Sequence, residues 1–231
     1  MGSQFNKGLL HGLPVALGYL TVSFGFGISA VRAGLSVWQA AAISALNLTS
    51  AGQAAGLTVM TGGGTLVEMA VTQLIINMRY SLMALSLSQK LDGSFTLTKR
   101  LTAAYGITDE IFAVASASPV PVTPQYMYGL IIMGFSGWVG GTALGAAAGA
   151  VLPAALINAM GIMLYGMFIA IFVPAARGAR DVLAVVCAAA AVSVLLKVFS
   201  PFISGGFAII IAAMASSLVC AAVFPGEEAV T

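Results

Sequence analysis

Charge is what this chain has least of. Lys, Arg, Asp and Glu make up only 7% of its 231 residues, where soluble domains carry roughly a quarter, so no sizeable soluble domain is present. Nine basic and seven acidic residues leave a net charge of +2, too small to hold a nucleic-acid partner. Histidine occurs once, as His11, and cysteine twice, as Cys187 and Cys220. That excludes a metal cluster and a disulfide framework, and each cysteine reads as a small buried hydrophobe within an apolar run. No cofactor is expected. Intramembrane hydrolysis lacks a base near candidate serines such as Ser136 and Ser204, so an enzyme is not expected either. What the chain has instead is apolar surface: 60% of residues are hydrophobic and mean hydropathy is +1.03. Those values define an all-α, polytopic integral membrane protein.

Apolar runs predict spans near 8–31, 37–60, 65–89, 98–118, 125–151, 155–174, 182–198 and 202–224, about seven or eight transmembrane helices in a single transmembrane domain over 1–231. The first run has no clear cleavage site and reads as a span that stays attached. Turn chemistry separates the runs at Gly62-Gly63-Gly64, Asp92-Gly93-Ser94, Pro119/Pro121/Pro124, Pro153, Pro174 with Gly178, and Pro201. Basic residues favour the cytoplasmic side, but Lys90, Lys99 and Arg100 are three predicted spans away from Arg177 and Arg180, which would put the two groups on opposite faces. The stretch 98–118, interrupted by Gly106, Thr108, Asp109 and Glu110, is expected to be broken or re-entrant, which removes the conflict. Gly137, Gly141, Gly145 and Gly149 form a ridge on one helix face, suited to close packing within the chain or to a second membrane subunit.

Within this apolar background one polar band stands out. Arg79 lies in the middle of a run long enough to cross a bilayer, where a charge is costly and marks a site. Counted from the turn at Lys90–Gly93, Arg79 and Asp109 are ~16 and ~13 Å into the membrane, so they are predicted to meet at similar depth on neighbouring antiparallel helices. Counted from Gly62, Asn47 and Asn77 are expected to face each other. Asn47, Ser50 and Gln53 make one stripe, and Gln73, Asn77 and Ser81 another. The stretch Thr49–Ala54, with Gly52 at its centre, reads either as a discontinuous helix with exposed backbone groups or as a close-packed helix with its hydroxyls bonded back to carbonyls. The Arg79–Asp109 pair is either a structural ion pair or an exchangeable one, with Arg79 holding a substrate carboxylate while Asp109 or Glu110 takes a proton. Met78, Met83 and Phe112 are candidates for an apolar half-site. Glu68 reads as a structural anion at a helix start, Arg32 and Lys197 as interfacial, and His11 as interfacial rather than a proton relay.

The residues carry a family resemblance. The opening GLPVALGYLTVSFGFGISAVRAGLS, then TSAGQAAG at 49–56, INMRYSLMALSLS at 76–88 and ITDEIFAV at 107–114, resemble in order and spacing the AzlC-type large subunit of bacterial branched-chain amino acid exporters. The resemblance implies a multi-pass protein of the bacterial inner membrane that exports leucine, isoleucine and valine, with methionine at the edge of the set. It also implies a small AzlD-like membrane subunit as partner and drive by the proton gradient. By that resemblance Gly52 and Gln53, Asn77 and Arg79, and Thr108, Asp109 and Glu110 match the family's motifs; together with the polar band they make Asn47, Ser50, Gly52, Gln53, Asn77, Arg79 and Tyr80 the substrate-binding candidates and Asp109 and Glu110 the proton-coupling candidates. Tyr80 stands where the family often has histidine, and a phenol with a reference pKa near ~10 does not replace a histidine as proton carrier. Ala54 stands where a larger aromatic is common. From the residues alone the reading stops at a secondary transporter of a small polar or zwitterionic solute, with a channel or a non-transporting assembly subunit as the alternative.

Overall fold

A computed structural model describes residues 2–149, 176–200 and 202–224, together with positions 153, 166, 169 and 173. The expected span 155–174 and the breaks at Pro174 and Pro201 lie outside the described residues. The described chain is helical: α1 (Gly2–Arg32), α2 (Val37–Leu46), α3 (Ser50–Thr61), α4 (Leu66–Ser88), α5 (Leu97–Tyr105), α6 (Asp109–Ser116), α7 (Pro124–Ala148), α8 (Arg180–Phe199) and α9 (Gly205–Val223). Among the described residues, α1 from Gln4, α7, α8 and α9 are long and apolar enough to cross a membrane. α4 has the length, at 23 residues, but its Glu, Gln, Asn and Arg make it more polar. Contacts divide the chain into two compact units, residues 1–53 with 76–164, and residues 54–75 with 165–231.

In the first unit α1 and α7 run parallel in close contact. A Cβ on Gly137 would stand 2.7 Å from Ala16 Cα, on Gly141 2.8 Å from Leu20 Cα, and on Gly145 2.8 Å from Phe24 Cα. Both helices advance by four residues from contact to contact, so one ridge row of each is in register with the other. The glycine ridge is therefore occupied by this chain's own first helix. Where lipid removes the hydrophobic drive, such backbone proximity supplies the dispersion contacts that hold helices together.

Two of the predicted spans are broken. The 98–118 stretch divides at Gly106-Ile107-Thr108 into α5 and α6. The residues on either side of the pair are tied together: Val122 N–H donates to Lys90 O at 2.8 Å, and Asp92 N–H to Val122 O at 3.0 Å. The pair therefore starts and ends at the same face. Nine and eight residues give half-helices of roughly 12–14 Å, about half of a ~30 Å hydrocarbon core. This is the re-entrant geometry that the basic loops demanded. Gly106 seats the turn, since a Cβ there would stand 2.7 Å from Ile131 Cγ1, and Ile111 and Leu130 are fully buried in the core beneath it.

The predicted 37–60 span is the correction. It is not one helix: α2 ends at Leu46, the chain is extended at Asn47, and α3 begins at Ser50. The break falls upstream of Gly52, which sits in the first turn of α3 and donates its N–H to Thr49 Oγ1 at 3.3 Å. Asn47 and the Ser50–Gln53 turn thus do not form a stripe on one helix. Both breaks share a plan. Ser36 and Thr96 cap α2 and α5 by accepting the N–H three residues on. After each break Thr49 and Thr108 likewise accept from Gly52 and Ile111.

In the second unit Glu68 is 2% exposed in the first turn of α4. Its carboxylate accepts from Ser204 Oγ and from Gly206 N–H at 3.0 Å, so one anion caps the start of α9 while lying in the first turn of α4. This is the structural role expected of an anion beside helix dipoles. Cys220 is buried as expected, whereas Cys187 is exposed on α8. An exposed thiol on a helix of this hydropathy faces lipid, where it remains an apolar group.

Candidate functional site

Arg79 Nη1 lies 2.9 Å from Asp109 Oδ2, with the two side chains 40% and 32% exposed. The ion pair inferred from helix rise is therefore formed, but not between antiparallel helices as expected: Asp109 is at the first position of α6, the returning half that runs toward the face where α4 ends. Tyr80 lies under the arginine: the guanidinium carbon is 5.1 Å from the ring centroid and Nη2 donates to the phenol oxygen at 3.4 Å. Arg79 Nε is buried and has no acceptor among the described residues. The guanidinium thus engages Asp109 through Nη1 and Tyr80 through Nη2, and its buried Nε is left unsatisfied.

Glu110, next to Asp109, is held by a residue the sequence reading did not select. Tyr19, on α1 and 6% exposed, donates to Glu110 Oε2 and lies 2.6 Å from Thr108 Oγ1. A phenol has one proton, so the carboxylate takes it as the stronger acceptor, and the threonine hydroxyl donates to the phenol oxygen. Tyr19 also stacks edge-on against Trp138, with centroids 5.2 Å apart. Trp138 Nε1 in turn donates to Gln53 Oε1 at 3.2 Å. Leu48, within the first break, packs in the same cluster as Tyr19 and Trp138. One chain of contacts therefore joins both helix breaks through Tyr19.

Gln53 is 2% exposed and engaged at both ends. Its Nε2 donates to Asn47 O at 2.6 Å and contacts Ser44 Oγ at 3.2 Å, while its Oε1 takes the Trp138 proton. Ser44 continues to Thr142 Oγ1 at 2.7 Å. In this structure Gln53 satisfies a carbonyl left by the end of α2 and braces the elbow. Tyr105, the last residue of α5, donates to the Ala45 carbonyl near the end of α2. α2 approaches from the α7 end near Thr142, and α5 from the opposite end near Val122, so the C-terminal ends of two half-helices meet inside the unit. Ser50 opens α3, and Asn77 is half-buried on α4 two residues before the arginine, on the other side of the helix.

Of the apolar candidates, Met83 and Phe112 pack against the core under the re-entrant pair, whereas Met78 is 56% exposed and points away. His11 lies at the N-terminal end of α1, its Nδ1 2.8 Å from the Tyr126 hydroxyl in a T-shaped contact. No group of three potential metal ligands occurs among the described residues.

Discontinuous helices whose ends meet in the membrane beside an arginine and two carboxylates define a polytopic membrane protein of transport type. The chain belongs to the AzlC family, which matches residues 14–152 under the description "AzlC protein". It is similar to an uncharacterised membrane protein of Archaeoglobus fulgidus, 30% identical and covering 76% of this chain and 78% of the relative. It is also similar to the inner membrane protein YgaZ of Escherichia coli, 30% identical over 72% and 71% of the two chains. A third relative, a membrane protein of Helicobacter pylori, is 24% identical over 63% and 64%. No solved structure matches.

Proposed function

We propose that this protein is a secondary carrier of the bacterial inner membrane that exports branched-chain amino acids, coupled to the proton gradient and working with a small AzlD-like membrane subunit. The observation that carries the reading is the Arg79 guanidinium, bound to Asp109 and unsatisfied at its buried Nε. A zwitterion needs a cation for its carboxylate and an acceptor for its ammonium group. The Arg79 guanidinium offers the first once the side chains that bury its Nε give way, and Asp109 and Glu110 offer the second. Inner-membrane placement follows the naming of the Escherichia coli relative. The small partner and the branched-chain cargo follow the family resemblance.

Uptake of labelled leucine into proteoliposomes tests the reading, with and without an imposed pH gradient, using this chain alone and then with the partner. Gradient-dependent flux that disappears in Arg79→Ala is the expected result. Absence of leucine flux in both correctly folded preparations removes the cargo assignment. Flux that ignores the gradient and survives Asp109→Asn removes the coupling.

A further inference from the structure

A second cavity lies away from the Arg79 site, and its chemistry differs. Between the last turns of α4, the start of α5 and Met127 of α7 there is a cleft of about 390 Å³. Its walls are aliphatic and aromatic except for Ser81, Ser88 and Arg100. Leu85 and Leu101, both lining residues, are 65% and 64% exposed, so the mouth opens sideways onto apolar surface that this chain leaves uncovered. The cleft extends from Ser88 to Ser81 on one wall and from Arg100 to Ile107 on the other, seven residues in each case. Along α4 that is about 10 Å of helix.

The polar groups of the cleft are few. Ser88 Oγ donates to Leu85 O at 2.6 Å. Arg100 Nε donates to Phe95 O at 3.5 Å, which leaves its terminal nitrogens without a partner among the described residues. Around the mouth Lys99 Nζ is tied to Ser94 O at 2.9 Å and Lys90 Nζ to Ser116 O. The nearby acid Asp92 has one oxygen engaged by the Ser94 N–H and hydroxyl. No carboxylate lines the cleft, so the ammonium group of a zwitterionic amino acid finds no counter-charge there. The arrangement suits an amphiphile with an anionic head and an apolar tail. Basic pockets at the ends of membrane helices take anionic headgroups in this way.

We infer that the α4–α5 cleft is a binding site for one anionic phospholipid, with its phosphate on Arg100 and an acyl chain against Leu85, Leu101, Ala104 and Ile107. The lateral opening on exposed leucines favours a bilayer lipid over a free amphiphile from the aqueous side. The tail reaches Ile107, the residue just before Thr108, so an occupied cleft supports α5 and the turn that leads into Asp109 at the start of α6.

The test is native mass spectrometry of the purified full chain, delipidated and titrated with phosphatidylglycerol, phosphatidylethanolamine or oleate. Expected is retention of one phosphatidylglycerol in preference to phosphatidylethanolamine. Arg100→Gln should reduce that retention about fivefold, the factor one basic residue is worth at an anionic surface, without changing phosphatidylethanolamine. Ala104→Trp, at an exposed lining position, fills the cleft and should displace the lipid while Arg100 is still present. Ala84→Leu is a milder filling variant should the tryptophan prevent folding. Lys197→Gln, on α8, is the control for general surface charge. Equal retention of both phospholipids by the unaltered chain overturns the inference, as does an Arg100→Gln effect no larger than that of Lys197→Gln. Oleate retained in place of phosphatidylglycerol overturns the choice of a phospholipid.

Discussion

Neutralising Arg79 and Asp109 singly and together separates a structural ion pair from a working one. The two side chains are 40% and 32% exposed and 2.9 Å apart, between the fully exposed pairs that couple by ~0.2–1 kcal/mol and the buried pairs whose breakage costs ~3–5. Discounted for that exposure, a coupling of about 1 kcal/mol is expected. Arg79→Gln and Asp109→Asn should each destabilise the protein by about 1–2 kcal/mol, and the double variant by about 1 kcal/mol less than the sum of the two. In a chain of this size that is a lowering of the melting temperature by about 2–4 °C per kcal/mol, readable by thermal shift of the purified protein in detergent. Leucine flux should behave differently. The guanidinium supplies a charge-assisted hydrogen bond of ~1.5–3 kcal/mol, so Arg79→Gln should lose about ten- to a hundredfold in transport, and the stability recovered through coupling in the double variant should not restore flux. A double variant that recovers both melting temperature and flux would refute the reasoning and make the pair purely structural.

Three further outcomes follow from other contacts. With Cys187 and Cys220 replaced by alanine, Gly93→Cys and Val120→Cys should react with a membrane-impermeant maleimide from the same side of oriented vesicles, because Lys90–Asp92 and Val122 are hydrogen-bonded; labelling from opposite sides would dismiss the re-entrant pair. Tyr19→Phe keeps the ring on Trp138 but removes the proton given to Glu110, so melting should fall by the equivalent of about 1–3 kcal/mol and the pH profile of flux should shift; an unchanged profile would limit Tyr19 to packing. Glu68→Ala removes the anion that holds Ser204 and Gly206 and should cost stability by about 1–3 kcal/mol, whereas Glu68→Gln, which keeps one carbonyl acceptor, should cost less; equal losses, measured by thermal shift, would show that the charge rather than the cap matters.

Much of this architecture is legible in the sequence because helix rise is fixed. Counting residues from the shared turn was enough to bring Arg79 and Asp109 to the same depth, and the conflict between basic loops pointed to 98–118 as the segment that turns back. The break at Asn47–Thr49 was legible only in part. The polar residues Asn47, Ser50 and Gln53 and the glycine at 52 allow a discontinuity over Thr49–Ala54, but the chain breaks upstream of Gly52. The elbow is set by tertiary hydrogen bonds from Gln53, Trp138 and Tyr105. Tyr19 was missed for a related reason. It lies within an apolar stretch, its partners Thr108 and Glu110 are 89 and 91 residues away, and nothing local distinguishes it from an interfacial tyrosine. Its signal was the family-like opening segment, which was read as a whole helix rather than residue by residue.

The departure at Tyr80 fits the geometry of the arginine. A histidine beside Arg79 would become a second cation when protonated and would repel the guanidinium. A phenol offers a ring face 5.1 Å from the guanidinium carbon and an oxygen 3.4 Å from Nη2, worth ~0.5–2 kcal/mol of orientation in a partly desolvated setting. Tyr80 therefore orients Arg79 without adding a second cation beside it. On the proposed reading the pH response of this chain must then rest on Asp109 and Glu110. The two carboxylates are placed for separate tasks: Asp109 is paired with the cation, and Glu110 takes its proton contact from Tyr19. Tyr19 also touches the Trp138–Gln53 brace of the other break, so on the proposed reading it is the contact through which a change of charge on Glu110 would reach both discontinuous helices, as a carrier requires if protonation is to alter both halves of its site.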